Sequence, residues 1–317
     1  MLNDALCGNR LILHWKKEAM LYARSQNYQT LLEELRAVLV EEGATLVGVA
    51  DLRDATTPAL TKQALPNASR HVDGRYANEH TNSVAGLKDI LRPTRRNQAD
   101  ADARAGEHAD SNLLAYPVGM SVAVPVPTEI VAGIHEAPTA AYAQAYRDLN
   151  AQLDAIVLAG EQFLTDRGYR AFALTKARAG KTKINRYETA LPHKTVACLA
   201  GLGWIGKSCL LVTPEYGPAV RISTLLTDAP LPCAKPMLEP RCGTCMQCAK
   251  ACPGHAIKGV LWKKDSSRDD RLDLDACVAH MTEVSRGLEQ DLICGACIAA
   301  CPYAVRYIKR AQKATTK

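Results

Sequence analysis

The stretch CGTCMQCAKACPGHAI, residues 242–257, decides the fold of the chain's last third because its four cysteines have the spacing C-x2-C-x2-C-x3-C-P. A second stretch, CGACIAACPYAV at residues 294–305, repeats the end of this pattern as C-x2-C-x3-C-P, and Cys277 stands before it. In the first pattern three thiolates reach three irons of one cubane, and the fourth cysteine, followed by proline, ligates a neighbouring cluster. The sequence therefore predicts two [4Fe–4S] clusters.

The ligands of these clusters are predicted to cross between the two motifs. One cluster is expected to take three cysteines of the first motif and the last cysteine of the second: Cys242, Cys245, Cys248 and Cys301. The other cluster is expected to take Cys252, Cys277, Cys294 and Cys297, with Cys277 in place of the ligand that the second motif lacks. The alternative is a pair of zinc sites built from C-x2-C pairs. The two Cys-Pro endings and the x3 spacings favour clusters.

The remaining cysteines are interpreted as structural. The chain has 12 cysteines, and four lie outside the two ligand sets: Cys7, Cys198, Cys209 and Cys233. Cys198 and Cys209 stand in apolar surroundings and are expected to be small core residues.

Composition and charge narrow the classes of protein. Hydrophobic residues make up 47% of the 317 residues, and the formal net charge is +6, which permits a polyanionic partner without requiring one. No stretch approaches the ~18–20 apolar residues of a membrane helix, and charges interrupt any N-terminal apolar run. We therefore expect a cytoplasmic protein with no membrane partner. A solvated terminal helix is favoured over an RNA-binding tail for the basic residues near the C-terminus: Arg306, Lys309, Arg310, Lys313 and Lys317.

The pattern of helices and strands predicts an α/β or α+β domain over residues 1–230. Helices are expected at 28–42, 139–167 and 193–200, and strands at 44–52, 120–127, 169–174, 209–213 and 219–228. Residues 53–112 are rich in polar residues without a periodic apolar face, and we expect a mobile insertion there. Prolines between residues 230 and 240 indicate a linker. Residues 231–317 are expected to form a ferredoxin-like double-cluster domain with a basic tail.

A glycine motif lies between the predicted helix at 193–200 and the strand at 209–213. Gly201, Gly203 and Gly206 match G-x-G-x-x-G, the dinucleotide fingerprint. That fingerprint follows a strand and opens a helix, whereas this motif follows a helix and precedes a strand. We interpret the segment, with Trp204 and Lys207, as a tight turn or as a close approach to a bulky cofactor.

The run PHKTVACLAGLGWIGKSCLLVTPEYGPAVRISTLLTDAPL (192–231), together with the two cysteine stretches, resembles the epoxyqueuosine reductase family. The resemblance is specific over about residues 190–305. It implies an α+β fold in which a nitroreductase-like, cobalamin-binding α/β domain precedes a ferredoxin-like double [4Fe–4S] domain, similar to the reductive dehalogenases. The family's C-terminal helical-repeat extension is expected to be absent, as in a divergent short branch.

The resemblance also implies a reaction, cofactors and partners. The family enzymes use two [4Fe–4S] clusters and cobalamin for queuosine biosynthesis. They remove the epoxide oxygen of a modified base in the tRNA anticodon loop with two electrons. The implied partners are therefore the tRNA anticodon loop and a reduced electron carrier such as ferredoxin or flavodoxin.

Candidate site residues follow from the same resemblance. Cobalamin is expected between the 192–208 segment and the helix that contains Asp148, with contacts from His193, Gly203, Trp204, Gly206, Lys207 and Ser208. Arg147-Asp148 matches half of the family's Arg-Asp-Tyr-His stretch, so Asp148 is the expected general acid. Three tyrosines are competing proton donors: Tyr116, Tyr142 and Tyr146.

Two other classes of function stay open at this stage. One is a corrinoid-dependent reductase of a small molecule such as an organohalide. The other is a non-catalytic electron-transfer or corrinoid-reactivating partner. Bound cobalamin separates both reductases from the electron-transfer partner, and tRNA association separates the two reductases. The true substrate, the electron donor and the oligomeric state are not fixed by the sequence.

Overall fold

The structure is a computed structural model that describes residues 26–53, 116–135, 137–181, 183–185, 188–189, 191–263, 266–288 and 292–315. The insertion expected at 53–112 falls outside the described residues, except for residue 53. The elements in chain order are α1 (26–41), β1 (Leu46–Asp51), β2 (Val118–Pro125), α2 (Thr128–Ala132), α3 (Ala140–Thr165), β3 (Ala171–Ala173), α4 (Lys176–Lys181), β4 (Lys183–Asn185), β5 (Glu188–Thr189), α5 (His193–Leu199), β6 (Trp204–Ile205), β7 (Leu211–Val212), β8 (Val220–Thr227), α6 (Gln247–Lys250), α7 (Leu274–Val284), α8 (Ala296–Ala299) and α9 (Pro302–Thr315).

A four-stranded antiparallel sheet in the order β1-β2-β8-β3 forms the centre of the first part. Seven of the eight residues of β2 are buried, because helices cover both faces of the sheet. Met120, Val122 and Val124 pack with α1 and α3, whereas Ala123 packs on the opposite face with α5. Successive strand residues point to opposite faces, so one strand contributes to two cores. The mixed α+β architecture predicted from the sequence is confirmed.

Helix α3 is the longest described element, with 26 residues, and it confirms the helix expected at 139–167. Its start is capped by Thr139, whose Oγ1 accepts a hydrogen bond of 3.0 Å from the backbone N–H of Tyr142. Gly160 permits close packing on β8, since a Cβ there would lie 2.7 Å from Leu225 Cδ2. The helix is therefore fixed both at its start and along the sheet.

The cysteine-rich part consists of short helices, α6 to α9, joined by loops. Its last helix packs against α2, and the hydroxyl of Tyr307 donates a 3.2 Å hydrogen bond to the carbonyl of Val126. One buried cluster contains residues from both parts of the chain: Val126, Val131, Ile134, Tyr142, Ala143, Ala219, Ile293 and Ala304. The two predicted domains thus share a core, and the boundary at 230/231 stays a prediction. Within the described ranges no helix is long and apolar enough to span a membrane.

Candidate redox site

Four cysteines from the two ends of the cysteine-rich part line a small cavity of about 120 Å³, which we call the first cavity. They are the four that the crossed arrangement assigns to one cluster: Cys242, Cys245, Cys248 and Cys301. Gly206, Lys207 and Ser208 line the same cavity from the first part of the chain. Cys242 and Cys301, which are almost 60 positions apart in the sequence, therefore line the same cavity.

The other four cysteines line a larger cavity of about 380 Å³, which we call the second cavity. They are Cys252, Cys277, Cys294 and Cys297. Cys297 also lines the first cavity, so the two spaces are neighbours. The grouping matches the crossed assignment, and ligation by these residues stays a prediction. Gly295 takes a left-handed φ of 88° beside Cys294, and a Cβ there would lie only 3.0 Å from Tyr142 Cε1.

Burial and neighbouring thiols control the ionisation of these cysteines. Burial raises the pKa of Cys248 to about 11 and that of Cys277 to about 11, and nearby thiols add to both shifts. Thiols gathered in buried space become thiolates when metal binds. Among the described residues, no group of three or more His, Cys, Asp or Glu side chains is arranged to hold a single metal ion. Because each set of four cysteines surrounds a space rather than a point, it fits a cubane better than one zinc ion.

One wall of the second cavity consists of cationic and aromatic side chains from the first part of the chain. Tyr142 and Tyr146 come from α3, and Arg221 comes from β8. Arg221 Nη2 donates a 2.8 Å hydrogen bond to Asn150 Oδ1, and its guanidinium carbon lies 4.0 Å from the centre of the Tyr146 ring. Asn150 therefore fixes the arginine, and the arginine covers the face of Tyr146.

Tyr142 is the most buried aromatic residue of this wall, with 4% of its surface exposed. Burial raises the pKa of Tyr142 to about 12, although the nearby Arg221 cation opposes the shift. The phenol consequently stays protonated at ordinary pH and acts as a hydrogen-bond donor.

Comparison with known proteins agrees with this geometry. Residues 241–304 match the family described as a 4Fe-4S double cluster binding domain. An epoxyqueuosine reductase from Bacillus cereus is 32% identical over 122 residues, which cover 35% of this chain and 29% of that relative. Over that segment the chain is similar to epoxyqueuosine reductases. Its cysteine-rich part is a binding domain for two [4Fe–4S] clusters.

The chain is similar to reductive dehalogenases as well. The tetrachloroethene reductive dehalogenase of Sulfurospirillum multivorans is 32% identical over 115 residues, which cover 33% of this chain and 22% of that protein. The solved structure of the catabolic reductive dehalogenase NpRdhA, in complex with 3-bromo-4-hydroxybenzoic acid, matches 88% of this chain and 33% of its own with a TM-score of 0.56 at 18% identity. That likeness shows a shared fold. The matches with both curated relatives span less than a third of the relatives' length.

The glycine-rich segment packs mainly beside the first cavity. Gly206 and Lys207 line the first cavity, and Ser208 lines both. Trp204 is fully buried, with its ring centre 4.9 Å from that of Tyr303 in an edge-to-face contact. At Gly203 a Cβ would lie 2.2 Å from the carbonyl oxygen of Val212. Gly203 therefore allows the close approach of the β7 backbone. The role of the six residues as cobalamin contacts stays a prediction.

His193 lies at the start of α5, next to the second cavity. Its Nδ1 lies 2.8 Å from Thr224 Oγ1. Burial, and to a lesser degree the Arg221 cation, lower the pKa of His193 to about 4. The imidazole is therefore neutral at ordinary pH. Among the described residues that line the two cavities, Lys194 appears and His193 does not.

Asp148 does not reach the second cavity. It is exposed, and its Oδ1 accepts a 2.7 Å hydrogen bond from Gln144 Nε2 on the same helix. The role of Asp148 as general acid stays a prediction, and Tyr142 and Tyr146 occupy the helix face that lines the cavity. Tyr116, the third competing donor, is buried in the core near Phe172.

Sequence reasoning missed two cations of this wall, Lys194 and Arg221. The only signal for Arg221 in the sequence is a charged residue within an apolar strand segment, AVRISTLLTD. A charge in such a strand is often functional, because burial without a partner is costly.

Proposed function

We propose that this protein is a cobalamin-dependent iron–sulfur oxidoreductase that reduces epoxyqueuosine to queuosine in tRNA. One observation carries the proposal: four cysteines line the second cavity together with Tyr146 and Arg221. A source of electrons and a source of protons therefore face the same space. The family resemblance over residues 190–305 supplies the substrate.

The described residues fit a corrinoid in chemistry and in part of its size. The second cavity, at about 380 Å³, lies at the lower end of the roughly 300–1,000 Å³ of ligand sites, so it would hold only part of the cofactor. Its walls combine apolar side chains with the donors of Lys194, Ser208 and Arg221, which suit the amide-fringed edge of a corrin. Cobalamin, when bound, supplies a cobalt centre that delivers two electrons to the substrate.

The proposed reaction determines how many electrons and protons the protein must supply. Deoxygenation of an epoxide breaks two C–O bonds, forms one C=C bond and releases water, so it consumes two electrons and two protons. We propose that Tyr146 donates a proton to the departing oxygen, and that Arg221 and Asn150 hold the phenol in place through the contacts described above. The cysteines of the two cavities would hold the clusters, which would supply single electrons from a reduced carrier such as ferredoxin or flavodoxin.

The tRNA partner is part of this proposal, as is action in the cytoplasm.

The basic helix α9 offers fewer unengaged positive side chains to a nucleic acid than its composition suggests. Arg306 stacks at 4.0 Å over the ring of Tyr303, and Arg310 donates to the carbonyl of Glu215. We therefore assign tRNA recognition to the opening of the second cavity rather than to α9 alone.

The direct test supplies the anaerobic protein with a reductant, cobalamin and tRNA containing epoxyqueuosine. The tRNA is then digested and its nucleosides are weighed. We expect the loss of one oxygen mass, which requires both the protein and cobalamin. An unchanged nucleoside, from protein with verified clusters and cobalamin, would contradict the proposal.

A corrinoid-dependent reductase of a small molecule is the second candidate, favoured by the fold shared with a reductive dehalogenase at a TM-score of 0.56. The same protein preparation is incubated with 3-bromo-4-hydroxybenzoic acid, and released bromide is measured. Bromide release without a change in tRNA would support this candidate. Intact clusters without turnover of either substrate would support an electron-transfer or corrinoid-reactivating partner.

A further inference from the structure

Cys209, which does not belong to either predicted ligand set, lies in the wall of the second cavity. It is buried, with a left-handed φ of 61°, and Lys194 Nζ donates a 3.1 Å hydrogen bond to its carbonyl oxygen. Lys194, Cys209 and Arg268 all line this cavity, as do Cys252 and Cys277. Two cations thus line the same cavity as four predicted cluster ligands. We call the cluster predicted at the first cavity the first cluster, and the one predicted at the second cavity the second cluster.

Arg271 adds a third cation to this group. Only 1% of its surface is exposed, and its Nε and Nη1 have no hydrogen-bond partner among the described residues. It is close enough to Cys209 and Arg268 to interact electrostatically with both. A buried guanidinium donor without an acceptor costs free energy, so an acceptor is expected at this place.

Among the described residues no acidic side chain lines the second cavity, although Asp270 interacts electrostatically with Arg271. Asp269 lies 3.7 Å from Arg268, but more than half of its side chain is exposed, and Asp270 is exposed as well. Burial lowers the pKa of Lys194 and that of Arg271, and the two arginines lower the pKa of Lys194 further. Such a group of buried cations is stabilised by a negative charge on its inner side.

We propose that Arg271, together with Lys194 and Arg268, is the electrostatic partner of the second [4Fe–4S] cluster and raises its reduction potential. The four thiolates make a cluster anionic, and reduction makes it more so. Hydrogen bonds and positive charge at its sulfurs therefore stabilise the reduced form. Arg271 is a positioning residue in this scheme, because it acts through the cluster. The inference rests on the two clusters and not on the substrate.

A redox titration followed by electron paramagnetic resonance tests this inference. The protein carries both iron–sulfur clusters, and neither cobalamin nor tRNA is added. In Arg271→Gln we expect the ratio of reduced to oxidised second cluster to fall about tenfold at a fixed potential, a shift of about 59 mV for one electron. The first cluster should keep its potential. Cys277→Ser shows which redox transition (wave) in the titration belongs to the second cluster, because it alters one of that cluster's predicted ligands. Arg286→Gln, at an exposed arginine of the same part of the chain, is the matched control and should shift neither wave.

Two further variants keep the test decisive. Arg271→Lys retains the charge and should restore most of the potential. If Arg271→Gln binds less than its full iron, Lys194→Met removes a charge of the same group and should lower the same potential. An unchanged second-cluster potential in a variant with full iron, or an equal shift of both waves, would overturn the inference. Because cobalamin and tRNA are absent, such a result would leave the proposed reaction untouched.

Discussion

Tyr146 and Asp148 lie two residues apart on α3, yet only Tyr146 lines the second cavity. We expect Tyr146→Phe to lower the turnover of epoxyqueuosine about 10²-fold or more, the usual range for loss of a general acid. Asp148→Asn is the matched control and should leave turnover close to that of the wild type, because its carboxylate is exposed and accepts from Gln144. The turnover of both variants is measured as the rate at which epoxyqueuosine is converted to queuosine. A larger loss in Asp148→Asn than in Tyr146→Phe would contradict this assignment.

His193 makes stability depend on pH. The unfolded chain binds a proton at this residue below its ordinary pKa of 6.5, whereas the folded protein does so only below about 4. The free energy of unfolding should therefore fall as the pH is lowered from 6.5 to 4, by up to about 3 kcal/mol from this residue. Anaerobic thermal unfolding at about pH 5 and pH 7 measures the effect. His193→Asn should show a weaker pH dependence, and an unchanged one would contradict the role of His193.

Short sequence spacing predicts which cysteines lie close together, whereas the rotation of α3 decides which of its residues line the second cavity. The cysteine spacing placed Cys242 and Cys245 in one set because ligands of a cubane come from tight loops. Asp148 was chosen by its place in a sequence match, but residues two positions apart point to nearly opposite sides of a helix. Arg221 reaches the site through the position of β8, which a single sequence does not reveal.

The β6–β7 pair is the element that connects the glycine motif to the first cavity. Trp204 pairs with Val212, and Gly203 lies directly before the strand. Gly203→Ala would place a Cβ 2.2 Å from the Val212 carbonyl oxygen, so the strands must separate. We expect a loss of about 1–3 kcal/mol of stability and of iron from the first cluster.

Gly133→Ala is the control for this element, because its Cβ would have no neighbour closer than 3.4 Å. Thermal unfolding and iron content measure both variants. A Gly203→Ala protein with unchanged stability and full iron would contradict the role given to the strand pair.

Helix and strand periodicity predicted most elements correctly. The expected helix at 28–42 appears as α1, the strand at 219–228 as β8, and the helix at 193–200 as α5. The antiparallel order β1-β2-β8-β3 was not predicted, since pairing depends on contacts between distant residues. As expected from the sequence, the glycine motif follows a helix and leads into a strand, whereas the dinucleotide fingerprint follows a strand and opens a helix.

At the scale of the whole molecule, the cysteine-rich part is built into the first part rather than attached to it. Ile293 and Ala304 share a buried cluster with Ile134 and Tyr142. The first part also lines both cysteine cavities, through Ser208. In the proposed reaction, the electrons and the protons would therefore come from different parts of the chain.

Crossed ligation of two clusters is the central claim of this account, and the electron paramagnetic resonance spectra of reduced single-cysteine variants test it most directly. The wild type should contain about eight irons per chain. Cys301→Ala should alter the same signal as Cys242→Ala, and Cys252→Ala should alter the same signal as Cys294→Ala. If Cys301→Ala instead alters the signal that Cys294→Ala alters, each motif holds its own cluster and the account is contradicted.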